Sequence, residues 1–199
     1  MDFYNKTTIK HVEITYPDIY FTPEYGIACE YSDDAIWELC KYKDLIYVYL
    51  KKEYIFENTT YYDLLTPYGY SGYYFEKQAT YDEFIPIFRS QAKIRNYITE
   101  VVRQNPYLNI DISNNYEIIT SKKIFSVEID DFEFYYNKIL RSSARNKLKK
   151  SIKDNYSYQI IDLKPNMLNK YFIKLYNITM DKVNSSKYYY FNAKYYEQI

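Results

Sequence analysis

Glycine, cysteine, histidine and tryptophan are all scarce: the 199 residues hold three, two, one and one of them. Two cysteines, Cys29 and Cys40, exclude a disulfide framework, and with His11 as the sole histidine a structural zinc site is not expected either. Both thiols read as small buried residues. One histidine near the N-terminus also leaves Ser-His and Cys-His nucleophile mechanisms poorly supported. No run approaches the roughly 20 apolar residues of a membrane helix, and the polar start Met1-Asp2-Phe3-Tyr4-Asn5-Lys6 carries no signal-peptide core. A soluble, cytoplasmic chain with no membrane span is therefore expected. A phosphate-binding Gly-rich loop, a Gly-x-Ser-x-Gly elbow and metal-ligand spacings are missing too.

What is abundant is tyrosine, 30 residues, within a chain that is 47% hydrophobic and able to fill a core. Lys outnumbers Arg 21 to 5, and Ile, Asn and Phe are also frequent, the composition that A/T-rich codons impose. Most tyrosines then read as amphipathic filler, ring inside and hydroxyl wet. The formal charge is zero, but residues 1–140 hold 14 basic and 22 acidic side chains, net −8, and residues 141–199 hold 12 and 4, net +8. Such asymmetry signals a change of module or of partner.

Along the chain, Thr22-Pro23-Glu24 opens a short helix, and Asp33/Asp34 read as the cap of a second containing Ala35 to Cys40, with Trp37 in the core. Leu45–Leu50 reads as a strand, Lys51-Lys52-Glu53 as a turn and Tyr54–Phe56 as the returning strand. A helix is expected from Tyr81 to about Arg95, opened by Thr80 and Asp82, then strands over 97–102, 116–121 and 124–129. Leu140, Ala144, Leu148 and Ile152 recur at helical spacing beside Arg141, Arg145, Lys149 and Lys153, an amphipathic basic helix. A short strand near Tyr158–Leu163, a helix through Leu168–Thr179 after the break at Pro165, and a last helix from Asn192 complete the reading.

Two features could carry chemistry. In a chain that avoids glycine, Gly69 and Gly72 three apart after Pro67 imply a backbone that turns with positive φ or approaches a ligand closely; a stiff inter-strand loop is the alternative. The basic helix reads either as a solvated face or as a grip on phosphate groups of a nucleotide-linked substrate or of RNA.

The stretch Asp63-x-x-x-Pro67-Tyr68-Gly69-Tyr70-x-Gly72 resembles the FemAB-like branch of the GNAT acyltransferase superfamily, which includes peptidoglycan-bridge aminoacyltransferases. Asp18–Tyr25, Arg103-x-x-Pro106-x-x-Asn109, Val127–Asp130, Arg145–Lys150 and Tyr176-x-x-Thr179 with Tyr188–Phe191 are similar to further segments of that family, so the likeness spans nearly the whole chain. It implies a mixed α/β fold: a GNAT-like domain over residues 1–131, its central, mostly antiparallel sheet flanked by helices, then the incomplete start of a second GNAT-like domain over 132–199. The resemblance also implies that the chain, ending at Ile199, is C-terminally truncated relative to the family. The implied activity is N-acyl or aminoacyl transfer from acyl-CoA or another activated donor, with no bound cofactor, to an amine on a sugar- or phosphate-bearing acceptor of the cell envelope. Such transfer needs mostly positioning and a polarised carbonyl. Tyr68, Gly69, Tyr70, Gly72, Arg103 and Lys150 are the implied substrate-binding residues, and no catalytic residue is assigned. Three outcomes are weighed: an acyltransferase, active alone or completed by a second chain or self-association; a split or non-catalytic acceptor-binding module lacking the donor site; and, least expected, an RNA-binding protein.

Overall fold

The computed structural model describes every residue except 109, 121, 122, 158, 162 and 163. Its contacts divide the chain into two compact units, residues 1–118 with 164–199, and residues 119–163. Residues 164–199, expected with the second domain, thus belong to the first unit.

The first unit is a mixed α/β structure around a six-stranded, mostly antiparallel sheet. Its elements begin with β1 (Asp2–Tyr4), α1 (Pro23–Asp33), β2 (Ile36–Tyr42), β3 (Leu45–Phe56), β4 (Thr59–Leu65) and β5 (Gly72–Tyr74). α2 (Gln78–Ile94) and β6 (Tyr97–Val101) follow. The strand order is β1-β2-β3-β4-β6, with β5 also paired to β3; only β4 and β6 run parallel, joined through α2.

Thr22 and Pro23 start α1 as the sequence indicates, the Thr22 hydroxyl accepting from the Tyr25 amide at 3.4 Å. Asp33 and Asp34, by contrast, end a helix rather than begin one. Asp34 takes the left-handed conformation, φ 50° and ψ 56°, and the chain turns directly into β2. The helix expected over Ala35–Cys40 is therefore a strand, because Trp37 and Leu39 face one core while Cys40 faces the other. The turn expected at Lys51–Glu53 is absent too: β3 runs on through the half-buried Lys51 and the exposed Lys52 and Glu53 and reverses at Glu57-Asn58, where φ is 48° and 62°. Two successive positive φ values suit a tight hairpin.

β3 lies between two cores. Ile46, Val48 and Leu50 pack with Trp37, Phe21 and Cys29 under α1, while Leu45, Tyr47 and Tyr49 pack with Tyr73, Phe84 and Phe88 under α2. This period-2 alternation explains the continuous apolar run, and each such burial contributes about 1.5–3 kcal/mol. α2 starts three residues before the expected Tyr81; the Asp44 carboxylate, from the β2–β3 turn, accepts from the Lys77 amide at 3.2 Å and the Thr80 hydroxyl at 2.7 Å.

The helix expected through Leu168–Thr179 begins at Pro165 itself: α-helical turns over Pro165–Leu168 and Lys174–Lys182 flank a wider turn, Asn169–Ile173. A C-terminal helix, Ala193–Gln198, is capped by the Asn192 side chain, which accepts from the Tyr195 amide at 3.0 Å, and buries Tyr195 and Tyr196 against α1.

Residues 116–118 of the first unit and residues 119, 120 and 123–130 of the second form no strand; 121 and 122 lie outside the described residues. Phe125 and Val127 are exposed, so the alternation that reads as a strand has no partner to bury it among the described residues. The strand expected near Tyr158–Leu163 falls partly outside the described residues, and 159–161 carry none. A short helical segment, Phe132–Ile139, precedes the basic helix Ser142–Lys153.

Candidate functional site

The Pro67–Gly72 turn is a large insertion in the sheet. Leu65 pairs with Leu50 and Gly72 with Val48, so residues 66–71 stand opposite Tyr49 alone. Gly69 and Gly72 adopt φ of 93° and 88°. A Cβ on Gly69 would lie 2.3 Å from the Tyr20 ring, and one on Gly72 would lie 2.6 Å from Val102 Cγ1. Both glycines are thus required by backbone conformation and by the packing of neighbours.

Several groups fix this turn. The Tyr25 hydroxyl donates to the Tyr68 carbonyl at 2.9 Å. The Gln104 amide accepts from the Tyr73 N–H at 3.3 Å and donates to the Tyr73 carbonyl at 2.7 Å, extending the ladder with a side chain. The Arg103 N–H donates to Thr66 Oγ1 at 3.0 Å, so Arg103 stands beside the start of the turn. Of the family-like loop 103–109, Asn105 is buried and its amide donates to the Asp18 carboxylate, while Asn109 lies outside the described residues.

The half-buried Tyr68 ring meets Tyr188, Tyr189 and Phe191 at centroid distances of 5.9, 6.3 and 5.4 Å. Tyr70 instead meets Tyr20, edge-on at 6.1 Å. Around this aromatic corner stand Asp33, at the end of α1, and the exposed Arg103. Burial raises the Asp33 carboxyl above the usual carboxylate range, opposed by Lys52, Ser32 and Arg103. Burial and then the Asp33 charge raise the Tyr188 phenol, and the Arg103 guanidinium beside it opposes them. Cys29 lies beneath, its thiol pushed up to about 12 by burial, which removes it as a nucleophile near neutral pH.

Tyr68, Gly69, Tyr70, Gly72 and Arg103 therefore share one region of the first unit. Lys150 sits, exposed, on the helix Ser142–Lys153 of the second unit. Sequence reasoning missed Asp33, which it took for a helix cap, and no local signal links it to Arg103 or Tyr188, 70 and 155 positions later.

No known family matches. Compared with family models, with curated proteins and with solved structures, the chain finds no match in any of the three. The chemistry must be read from the residues. Among the described residues no group of three or more His, Cys, Asp or Glu converges to hold a metal ion, and no helix is long and apolar enough to cross a membrane. An exposed guanidinium, a carboxyl raised by burial and several phenols can together hold a phosphate or carboxylate, pack on a planar group and accept a proton.

Two further carboxylates are tied into phenol networks. Glu38 is buried and accepts from Tyr49, from Tyr97 at 2.8 Å, from Lys51 at 3.2 Å and from Arg95 at 3.3 Å. Glu100 accepts from Tyr73 and Tyr116, each at 2.7 Å, while the wholly buried Tyr47 hydroxyl beside it makes no well-formed hydrogen bond. These tyrosines carry their hydroxyls inside, unlike the wet-hydroxyl filler expected from composition.

Proposed function

We propose that the chain is the acceptor-binding part of an N-acyltransferase of the FemAB-like GNAT kind, taking an amine-bearing, phosphate- or sugar-carrying acceptor at the aromatic corner of its first unit. The observation that carries this reading is the gathering of Arg103, Asp33, Tyr68 and Tyr188 around the Pro67–Gly72 turn. A mostly antiparallel sheet flanked by helices supports the fold half of the reading.

In this scheme Arg103 takes the acceptor's phosphate or carboxylate as a two-pronged contact, and Tyr68 and Tyr188 lie along its planar part. Asp33, a stronger base than an ordinary carboxylate because burial raises its pKa, accepts the proton of the acceptor ammonium. The free amine then attacks the carbonyl carbon of a thioester donor such as acyl-CoA: the C–N bond forms, the C–S bond breaks, and the proton still held by the nitrogen passes to the departing thiolate, giving the amide and the free thiol.

A non-catalytic acceptor-binding module is the second reading, favoured because the space beside Gly69 and Gly72 is filled by Tyr20 and Val102 rather than open to a ligand. Thermal-shift titration with amino-sugar nucleotides tests acceptor binding, since a ligand at 100 times its Kd stabilises by about 2.7 kcal/mol. A rise in Tm that Arg103→Ala removes is the expected result; no rise with any acceptor at millimolar concentration overturns both readings. Release of free CoA thiol on adding acyl-CoA, lost in Asp33→Asn, separates the enzyme from the module.

A further inference from the structure

We infer that the helix Ser142–Lys153 docks flat on an anionic phospholipid surface. Residues 134–153 contain seven Lys or Arg and no Asp or Glu, bounded by Glu133 and Asp154. On the helix, Ala144, Leu148 and Ile152 fall on one stripe at four-residue spacing, with Lys147 on one side of it and Lys149 on the other. No residue of this helix is buried; Ala144 is half-buried, but Leu148 and Ile152 are 38% and 69% exposed, so that part of the stripe is uncovered among the described residues. The segment before the helix adds three more large apolar side chains to the exposed surface, Phe132, Phe134 and Ile139.

Arg145 is committed elsewhere. Its guanidinium donates to the carbonyls of Tyr136, Asn137 and Leu140 at 3.4, 3.1 and 2.7 Å, closing the end of the preceding helical segment and fixing the angle at which the basic helix leaves it. The free cations are therefore mainly lysines, whose long stems lie along an apolar surface while the ammonium reaches past it.

An apolar stripe flanked on both sides by lysines matches a surface that is greasy inside and anionic at its rim, which is the chemistry of a bilayer carrying acidic headgroups. RNA would engage the lysines and the exposed Arg141 but leave Leu148 and Ile152 in water, and one of the two guanidiniums, that of Arg145, is already used inside the unit. This docking is independent of the acceptor reading, which draws on the first unit.

Co-flotation of the full chain with vesicles tests it, comparing pure phosphatidylcholine with vesicles containing 30% phosphatidylglycerol. Binding to the anionic vesicles only, weakened by raised salt, is expected. Each of Lys147→Gln and Lys149→Gln should lower the partition coefficient about fivefold. Ile152→Asp, an exposed position where circular dichroism should show the fold intact, should lower it tenfold or more. Three results overturn the inference: no flotation with anionic vesicles, equal flotation with neutral ones, or flotation indifferent to Ile152→Asp. Binding of polyuridylate that depends on the lysines but not on Ile152, without flotation, would also overturn it and assign the helix to nucleic acid.

Discussion

Replacing Gly72 by alanine decides whether the turn's glycines serve the fold or a ligand. The backbone there has φ of 88°, and left-handed conformations cost an ordinary residue about 1–2 kcal/mol. The new Cβ would also stand 2.6 Å from Val102 Cγ1 and 3.2 Å from Gln104 Oε1, and relieving such overpacking costs about 1–3 kcal/mol. The two terms add, because moving Val102 does nothing for φ, so Gly72→Ala should destabilise by about 2–5 kcal/mol. For a chain of this size that lowers Tm by roughly 4–20 °C. Urea unfolding followed by circular dichroism measures the loss directly. In a Val102→Ala background the backbone part, about 1–2 kcal/mol, should remain together with the milder Gln104 contact, and the difference is the packing between Gly72 and Val102. A Gly72→Ala protein as stable as the parent would refute this reasoning. If it were stable yet blind to acceptor, the space beside Gly72 would belong to a ligand.

Other outcomes follow from the titrating and buried groups. Burial raises Asp33's folded pKa above its unfolded value, so its ionisation destabilises the fold as pH climbs from the unfolded pKa to the folded one. Asp33→Asn should accordingly be more stable than the parent at pH 7, with the advantage vanishing below about pH 3.9 in urea titrations. Glu38→Ala strands Arg95, Lys51 and two phenols in a buried site and should cost about 3–5 kcal/mol, whereas Tyr97→Phe, which removes one bond to that carboxylate, should cost about 1.5–3 kcal/mol. Cys29 and Cys40 are wholly buried with raised pKa values, so a thiol-reactive chromophore at pH 8 should label neither in the native chain and both in denaturant.

What could be read from the residues alone was whatever rests on local rules. Thr22-Pro23, the Asn192 cap, the buried cysteines and Trp37, and the apolar run Leu45–Leu50 all signal themselves within a few positions. Ile36–Tyr42 misled because a strand buried on both faces shows no alternation of polarity, and the acidic pair before it looks like a helix start as much as a helix end. The charged stretch Lys51–Glu53 stays in strand because β4 pairs with it, information that lies outside the segment. The candidate site was half legible: a glycine pair announces an unusual turn, but the approach of Asp33, Arg103 and Tyr188 is made by the tertiary fold and leaves no spacing in the chain.

Trp37, the one indole among 30 tyrosines, lies wholly buried between α1 and the sheet. Its emission should be blue-shifted in the native state and fed by energy transfer from the many phenols of the first unit. The second unit holds no indole. Tryptophan fluorescence therefore reports the melting of one core, and a local rearrangement of the basic helix on a vesicle would leave that signal unchanged.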